Sequence, residues 1–352
     1  MSTDNEARDY HGRWTAGAVG YEGPDPKLQQ ARLSSVHPAG PYMGIKDPAQ
    51  AEKADTVAKI AAGVATKLGY DPTSVNISDE HRTFELNGKT LNTAGWATRP
   101  PGPSPTVNPD GSKQIIGGGT GTVTLFTPHV GDDPAGIAGV MAHEVSHQKF
   151  NAFLSDKESD YIKLQADPDY HKETKWVTYD PTNPVHVGMS VRGDIVTTPQ
   201  ADGERKIRDL GFMRPDGLLN EPYASKYPAY QAYTKAMMPS NDQFAKSDGV
   251  SDYSKEYWLG ARTKVEGSAG LDKEGNPKKY TTYAVNPTTA FSETIAEIGR
   301  LKYSGEPIYH RKLGEVDGKP VYFQSLNKRG LKPEWSALYQ AVEKNWKRRN
   351  SK

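Results

Sequence analysis

The stretch DDPAGIAGVMAHEVSHQKFNAF, residues 132–153, sets the frame for the rest of the chain. Asp132-Asp133-Pro134 supplies a capping carboxylate followed by a proline in the first turn, a common way for a helix to begin. Ile137, Val140, Met141 and Val145 then recur at helical spacing, so a helix runs through His143-Glu144-Val145-Ser146-His147. Positions 143 and 147 stand one turn apart, which carries both imidazoles to one face at a separation able to chelate a single zinc ion. Glu144 sits beside that face, where a carboxylate can take a proton from water activated by the ion. Met141 and Ala142 precede the motif and Val145 and Ser146 fill its middle, a composition that suits a buried helix around a dry centre.

Two histidines leave a metal site incomplete. With no cysteine in the chain, the third ligand must come from His, Asp or Glu. The continuation HExxHxxGxxH is excluded, because Phe150 and Phe153 occupy its glycine and third histidine positions. Downstream, YTTYAVNPTTAFSETIAEIGRLKYSG, residues 280–305, has the required form. A β-like run ends near Val285, Asn286-Pro287 opens a helix, and Ala290, Phe291, Ile295, Ile298 and Leu301 recur at its period. Glu293 and Glu297 therefore share a face. We read Glu293 as the third ligand and Glu297 as the carboxylate that accepts the outer N–H of a bound histidine; the spacing also permits the reverse assignment.

HEVSH followed by YAVNP and FSETIAE resembles the gluzincin metallopeptidases, in motif closest to the lethal-factor-like group. Matching Ala296-Glu297 to that group's Ala-Glu pair puts Glu293 at the ligand position. The resemblance implies an α+β, zincin-like fold, with a small mixed sheet, an active-site helix and a second helix bearing the third ligand. It further implies one Zn2+ held by His143, His147 and Glu293, with Glu297 behind a ligand and Glu144 as general base for hydrolysis of a peptide or protein substrate. The family's oxyanion-stabilising tyrosine is matched best by Tyr283, or by its neighbour Tyr280, three residues farther from the glutamate than the family spacing. The family's two motifs usually lie closer together, which implies a helical and loop insertion at about 154–262 within a catalytic domain spanning 47–352. In such an enzyme the alternating strand Thr122 to Thr127 is expected beside the cleft, pairing with an extended peptide as an exposed sheet edge can.

Residues 1–46 are polar, punctuated by Gly and Pro, and read as an extended arm. Within them RDYHGRWTAG, residues 8–17, resembles short segments of tailed-phage head-morphogenesis proteins, which implies virion or assembly partners. That resemblance keeps a second reading open, an assembly protein whose metal only ties helices together. A formal charge of +1 gives no global electrostatic reason to bind nucleic acid or an anionic membrane. No apolar run has the length of a membrane span and the first residues lack a secretory core, so the expectation is a soluble protein, cytoplasmic or virion-associated.

Elsewhere, DPAQAEKADTVAKIAAGVATKLGY, residues 47–70, reads as an amphipathic helix on Val57, Ile60, Ala61, Val64 and Leu68. Asn87-Gly88 and Asp317-Gly318 signal hairpins. The glycines at 117, 118, 119 and 121 lack the GK[ST] ending of a phosphate loop and lead into a strand, so they mark close backbone approach. KPEWSALYQAVEKNWKRRNSK closes the chain as a helix on Trp335, Leu338, Val342 and Trp346.

Overall fold

The computed structural model describes residues 36–86, 89–107, 113–168, 174–180, 182, 206–210, 218–237, 249–271, 277–305, 312–316, 319–322, 331 and 333–351. The 8–17 segment and the two hairpin tips at 87–88 and 317–318 lie outside them. The chain is α+β and divides into two compact units, the first made of residues 1–99, 120–150 and 245–332, the second of 100–119, 151–244 and 333–352.

In chain order the elements are β1 (Tyr42–Gly44), α1 (Ala51–Lys67), β2 (Val75–Ser78), β3 (Thr83–Leu86), β4 (Lys89–Asn92), β5 (Gly95–Ala97), β6 (Ser104–Val107), β7 (Lys113–Ile116), β8 (Val123–Phe126) and α2 (Pro134–Ala166). There follow β9 (Thr174–Thr178), β10 (Lys206–Leu210), α3 (Tyr223–Lys226), α4 (Pro228–Met237), α5 (Asp252–Arg262), β11 (Lys264–Leu271), β12 (Pro277–Tyr283), α6 (Pro287–Ser304), β13 (Lys312–Val316), β14 (Lys319–Tyr322) and α7 (Pro333–Asn350). Among the described residues no helix is long and apolar enough to cross a membrane.

The first unit is organised by a four-stranded sheet in the order β1-β2-β8-β5, with β1, β2 and β8 parallel and β5 antiparallel to β8. One face is apolar: Val75, Ile77, Val123 and Leu125 are fully buried. α1 covers β2 and turns inward Ala54, Val57, Ala58, Ala61, Ala62, Val64 and Ala65. Its larger apolar residues Ile60 and Leu68 are only half-buried, because alanines are what let this helix lie close against the strands. Asp47 starts this region by accepting from the Ala49 N–H at 2.9 Å, and Gly69, at φ +69°, ends it.

The run expected at Thr122 to Thr127 contains the strand β8, Val123–Phe126, but it is not an edge. β8 is flanked on both sides, by β2 and β5, and its residues Val123, Leu125 and Phe126 are buried. Alternation reports a buried face and cannot tell a central strand from an outer one. Among the described residues the outer strands are β1 and β5, and the one beside β8 is β5, a strand of three residues beginning with glycine, too short to stand out as a pattern.

The paired hairpins β3-β4 and β13-β14 agree with the turn signals in the sequence, with Leu86 opposite Lys89 and Val316 opposite Lys319. α2 runs farther than the apolar run that announced it, reaching Ala166, since no glycine or proline interrupts residues 137–166 apart from Gly139.

In the second unit, α7 packs on α4 and buries Trp335, Leu338, Val342 and Trp346. Acidic side chains in the carboxyl half of α2 and just past its end organise this unit: Asp156 receives Asn345 at 2.9 Å and Arg349 at 3.2 Å, Asp160 caps the start of α4 through Ala229 and Tyr230, and the buried Asp167 takes Lys226 and the Tyr227 hydroxyl. Gly117 has φ +81°, and a Cβ there would lie 2.7 Å from the Gly102 carbonyl oxygen, the close backbone approach signalled by its glycine run.

Candidate metal centre

Two helices of the first unit carry the chemistry. α2 starts with the Asp133 carboxylate accepting the Gly136 N–H at 2.9 Å, and buries Ile137, Met141, Ala142 and Val145. α6 starts with Asn286 accepting the Thr288 N–H at 2.8 Å before Pro287, buries Ala290, Ile295, Ala296, Ile298 and Leu301, and ends at Gly305 with φ +71°. Small residues let the helices meet. A Cβ on Gly299 would lie 2.7 Å from Cβ of Ser146 and closer still to its hydroxyl, so backbone approach here depends on glycine. This contact brings Glu293 and Glu297 to the imidazoles.

Nε2 of His143 and Nε2 of His147 are 3.2 Å apart, and Oε2 of Glu293 lies 3.4 Å from the first and 3.5 Å from the second. The three atoms thus form a nearly equilateral triangle. In a tetrahedral ion site with nitrogen and oxygen bonds of about 2.0–2.1 Å, neighbouring ligand atoms stand about 3.3–3.4 Å apart. The same Glu293 oxygen is buried and has no hydrogen-bond partner. A buried carboxylate oxygen is costly without a partner, and a cation at the centre of the triangle supplies one. Among the described residues His143, His147 and Glu293 are the group able to hold a metal ion. They are the residues the sequence assigns, and Glu293 rather than Glu297 is the one facing both Nε2 atoms.

Behind each imidazole stands an acceptor. Nδ1 of His143 faces Oε2 of Glu297 at 3.4 Å, and Nδ1 of His147 meets the Ser292 hydroxyl at 2.8 Å. Arg300 in turn grips Glu297, with contacts of 2.8 and 3.1 Å. Such backing fixes ring orientation and directs Nε2 at the centre of the triangle. Glu297 was legible from its one-turn offset; Ser292 and Arg300 were not singled out, although both flank the two glutamates in sequence.

The electrostatics are those of a buried anionic cluster. Burial alone lowers the basicity of His143, yet Glu293 and Glu297 overcome it and hold the imidazole up at about 10. Burial likewise opposes the charge on Glu293, but the two histidines hold its carboxyl well below the usual range, and His143 with Arg300 holds Glu297 down at about 2. A proton on His143 and a divalent cation satisfy the same demand for positive charge.

Glu144 is buried, and burial pushes its carboxyl up; the two imidazoles pull it partway back and Glu293 pushes it further up. It is thus a carboxylate able to take and return a proton. Its position depends on β5: a Cβ on Gly95 would lie 2.6 Å from Glu144 Oε1 and 2.7 Å from Cγ. Only glycine leaves the carboxylate its room.

A tyrosine also reaches the site, from an element that the sequence did not flag. Ser251 and Ser254 form a capping box that starts α5, and Tyr253, between them in that first turn, lies edge-on against His143, ring centroids 5.6 Å apart. Its hydroxyl is 3.1 Å from that of Tyr257. Tyr253 is 40% exposed, but desolvation of its hydroxyl against the cluster, then the charges of Glu293 and Glu144, hold the phenol above its usual range, so it stays a neutral donor. α5 is anchored on α6 by the Trp258 Nε1–H donating to Thr294 Oγ1 at 2.8 Å. Tyr283, by contrast, ends β12 opposite Lys264, is 47% exposed, and no hydrogen bond or ring contact among the described residues links it to the cluster. The side chain of Tyr280 lies outside the described residues. No signal at helical or strand spacing points from Glu293 back to Tyr253; only the packing of α5 on α6 connects them.

No protein-family model, curated protein or solved structure matches the chain.

Proposed function

We propose that the chain is a zinc-dependent endopeptidase of the zincin type, and the observation that carries this reading is the His143–His147–Glu293 triangle with the buried Glu144 beside it. Two imidazoles and one carboxylate suit a borderline ion such as Zn2+, which accepts tetrahedral coordination with one position left open. When bound, the ion polarises a carbonyl and makes water acidic enough to attack near neutral pH. The remaining work falls to the chain's own groups. Glu144 takes a proton as the water oxygen bonds to the scissile carbon, then delivers it to the amide nitrogen as the C–N bond breaks. Tyr253 donates its hydroxyl to the carbonyl oxygen as negative charge gathers there, a task for which a neutral phenol is required. Tyr257 keeps that phenol in place.

The substrate lies extended on β5. Phe126 N–H donates to the Ala94 carbonyl at 3.0 Å and Thr98 N–H to the Thr122 carbonyl at 2.9 Å, on either side of the Trp96–Thr124 pair. By the alternation of an antiparallel ladder, Gly95 and Ala97 turn their N–H and C=O groups to the open edge. Those groups are the natural partners of a peptide backbone passing Glu144.

Metal analysis of purified protein, with cleavage of a proteome-derived peptide pool, tests this reading. One equivalent of zinc is expected, lost in His143→Ala and in Glu293→Ala. Glu144→Gln keeps the zinc and abolishes cleavage. An ion that only ties α2 to α6 predicts the opposite pattern: bound zinc, a folded wild type, and no peptide cut.

A further inference from the structure

The outer face of the sheet carries a cation whose job the metal centre does not explain. Along β5, Gly95 and Ala97 point to the face shared with the buried Val123 and Leu125, toward Glu144, whereas Trp96 points to the opposite face with Thr124 and Phe126. Trp96 is exposed, and the Arg82 guanidinium lies over its ring at 4.0 Å and over the Phe126 ring at 5.9 Å. Two aromatic faces hold the guanidinium in a fixed place beside the open edge. Arg82 is exposed, and no carboxylate among the described residues pairs with it. Its neighbour Glu80 is engaged by Lys46 at 3.9 Å, and Asp79 accepts the Lys46 and Asp47 N–H groups. The Arg82 backbone is tied down as well, its N–H donating to His129 Nε2 at 3.3 Å.

We propose that Arg82, seated on Trp96, selects extended peptides that carry Asp or Glu on the side turned away from α2. This assignment rests on the peptidase reading and adds a substrate class to it. The chemistry is complementary: a peptide added to β5 alternates its side chains between the two faces, as β5 does. Side chains on one face meet Glu144 and the ion. Those on the other pass Trp96 and the five donors of a guanidinium that needs a carboxylate. A lysine in that place meets like charge.

The test uses the full-length, zinc-loaded protein and a positional-scanning library of fluorogenic peptides, for wild type, Arg82→Gln and Arg82→Glu. Zinc content and melting temperature serve as controls for folding. Wild type is expected to favour Glu over Gln by about fivefold in kcat/KM at one or two alternate positions, the size of an exposed ion pair. The preference fades in about 0.5 M salt, disappears in Arg82→Gln and turns to Lys in Arg82→Glu. Cleavage with no acidic preference, or a preference that survives in Arg82→Gln, overturns the proposal and leaves the peptidase standing. If wild type cuts no peptide, the peptidase reading is what fails. Anisotropy of labelled Glu and Gln peptide pairs on Glu144→Gln protein then decides the selectivity by itself, tighter Glu peptides supporting it and equal binding refuting it.

Discussion

Gly299→Ala probes the contact on which the metal centre is built. The new methyl group would lie 2.7 Å from Ser146 Cβ, about 0.7 Å short of the 3.4 Å at which ordinary contact begins. Turning the Ser146 hydroxyl away gives no relief, because Cβ itself is in the way, and it would break the 2.7 Å bond to the Ala142 carbonyl. The helices must therefore part by several tenths of an ångström beside the ligands. Glu293, 3.4 and 3.5 Å from the two Nε2 atoms, moves off the triangle by a distance larger than the roughly 0.2 Å tolerance of a metal bond. Zinc affinity is expected to fall by about ten- to a hundredfold, as with other disturbances of ligand support. Overpacking also removes about 1–3 kcal/mol of stability. Competition with a chromophoric chelator reads the affinity, and a thermal melt of the stripped protein reads the fold. Ser146→Gly in the same chain removes the obstructing Cβ and restores most of the affinity, less about 1 kcal/mol of stability for a second helical glycine. A folded Gly299→Ala protein that binds zinc as tightly as wild type would refute the reasoning, since Glu293 would then not depend on the crossing.

Gly95→Ala puts a methyl 2.6 Å from Glu144 Oε1 and displaces the carboxylate by close to an ångström, so kcat/KM is expected to fall by about a hundredfold with zinc content unchanged; an unimpaired rate in peptide cleavage sinks this role for Glu144. Glu297→Gln weakens the support of His143 and lowers zinc affinity by about ten- to a hundredfold, measured by the same chelator competition, whereas Glu144→Gln leaves affinity within a few-fold of wild type. In zinc-stripped protein His143 is held up at about 10 against an ordinary 6.5, so its ion pairing stabilises the fold fully below pH 6.5 and is lost as pH rises through about 10. The melting temperature of stripped protein should therefore drop between pH 7 and 10 while that of the zinc-loaded form, whose imidazole is already neutral with the ion in place of its second proton, stays flatter; parallel profiles contradict it.

Legibility in this chain follows the range of the interactions. His143, Glu144 and His147 share one turn of helix, and Glu293 with Glu297 share another, so each set is fixed by the 3.6-residue period alone. That the two sets meet needed one further piece of information, the chemistry of an incomplete ligand set. The caps at Asp133 and Asn286 were equally local. What stayed hidden is what tertiary packing alone decides. β5 has three residues and no alternation, so nothing local showed that it, and not β8, takes the open edge. Tyr283 was reached by counting back from Glu293, a procedure that follows the chain; Tyr253 was reached by α5 lying on α6, which does not.

The same distinction explains why glycines carry so much of this site without advertising it. Gly95 and Gly299 have ordinary backbone angles, so neither turn chemistry nor a left-handed conformation marks them. Each is required by a side chain from α2, Glu144 in one case and Ser146 in the other. A glycine required by a neighbour distant in sequence leaves no trace in its own surroundings. α2 is therefore held on two sides by absent methyl groups, from β5 and from α6, and the geometry that HEVSH promises is realised only where both are missing.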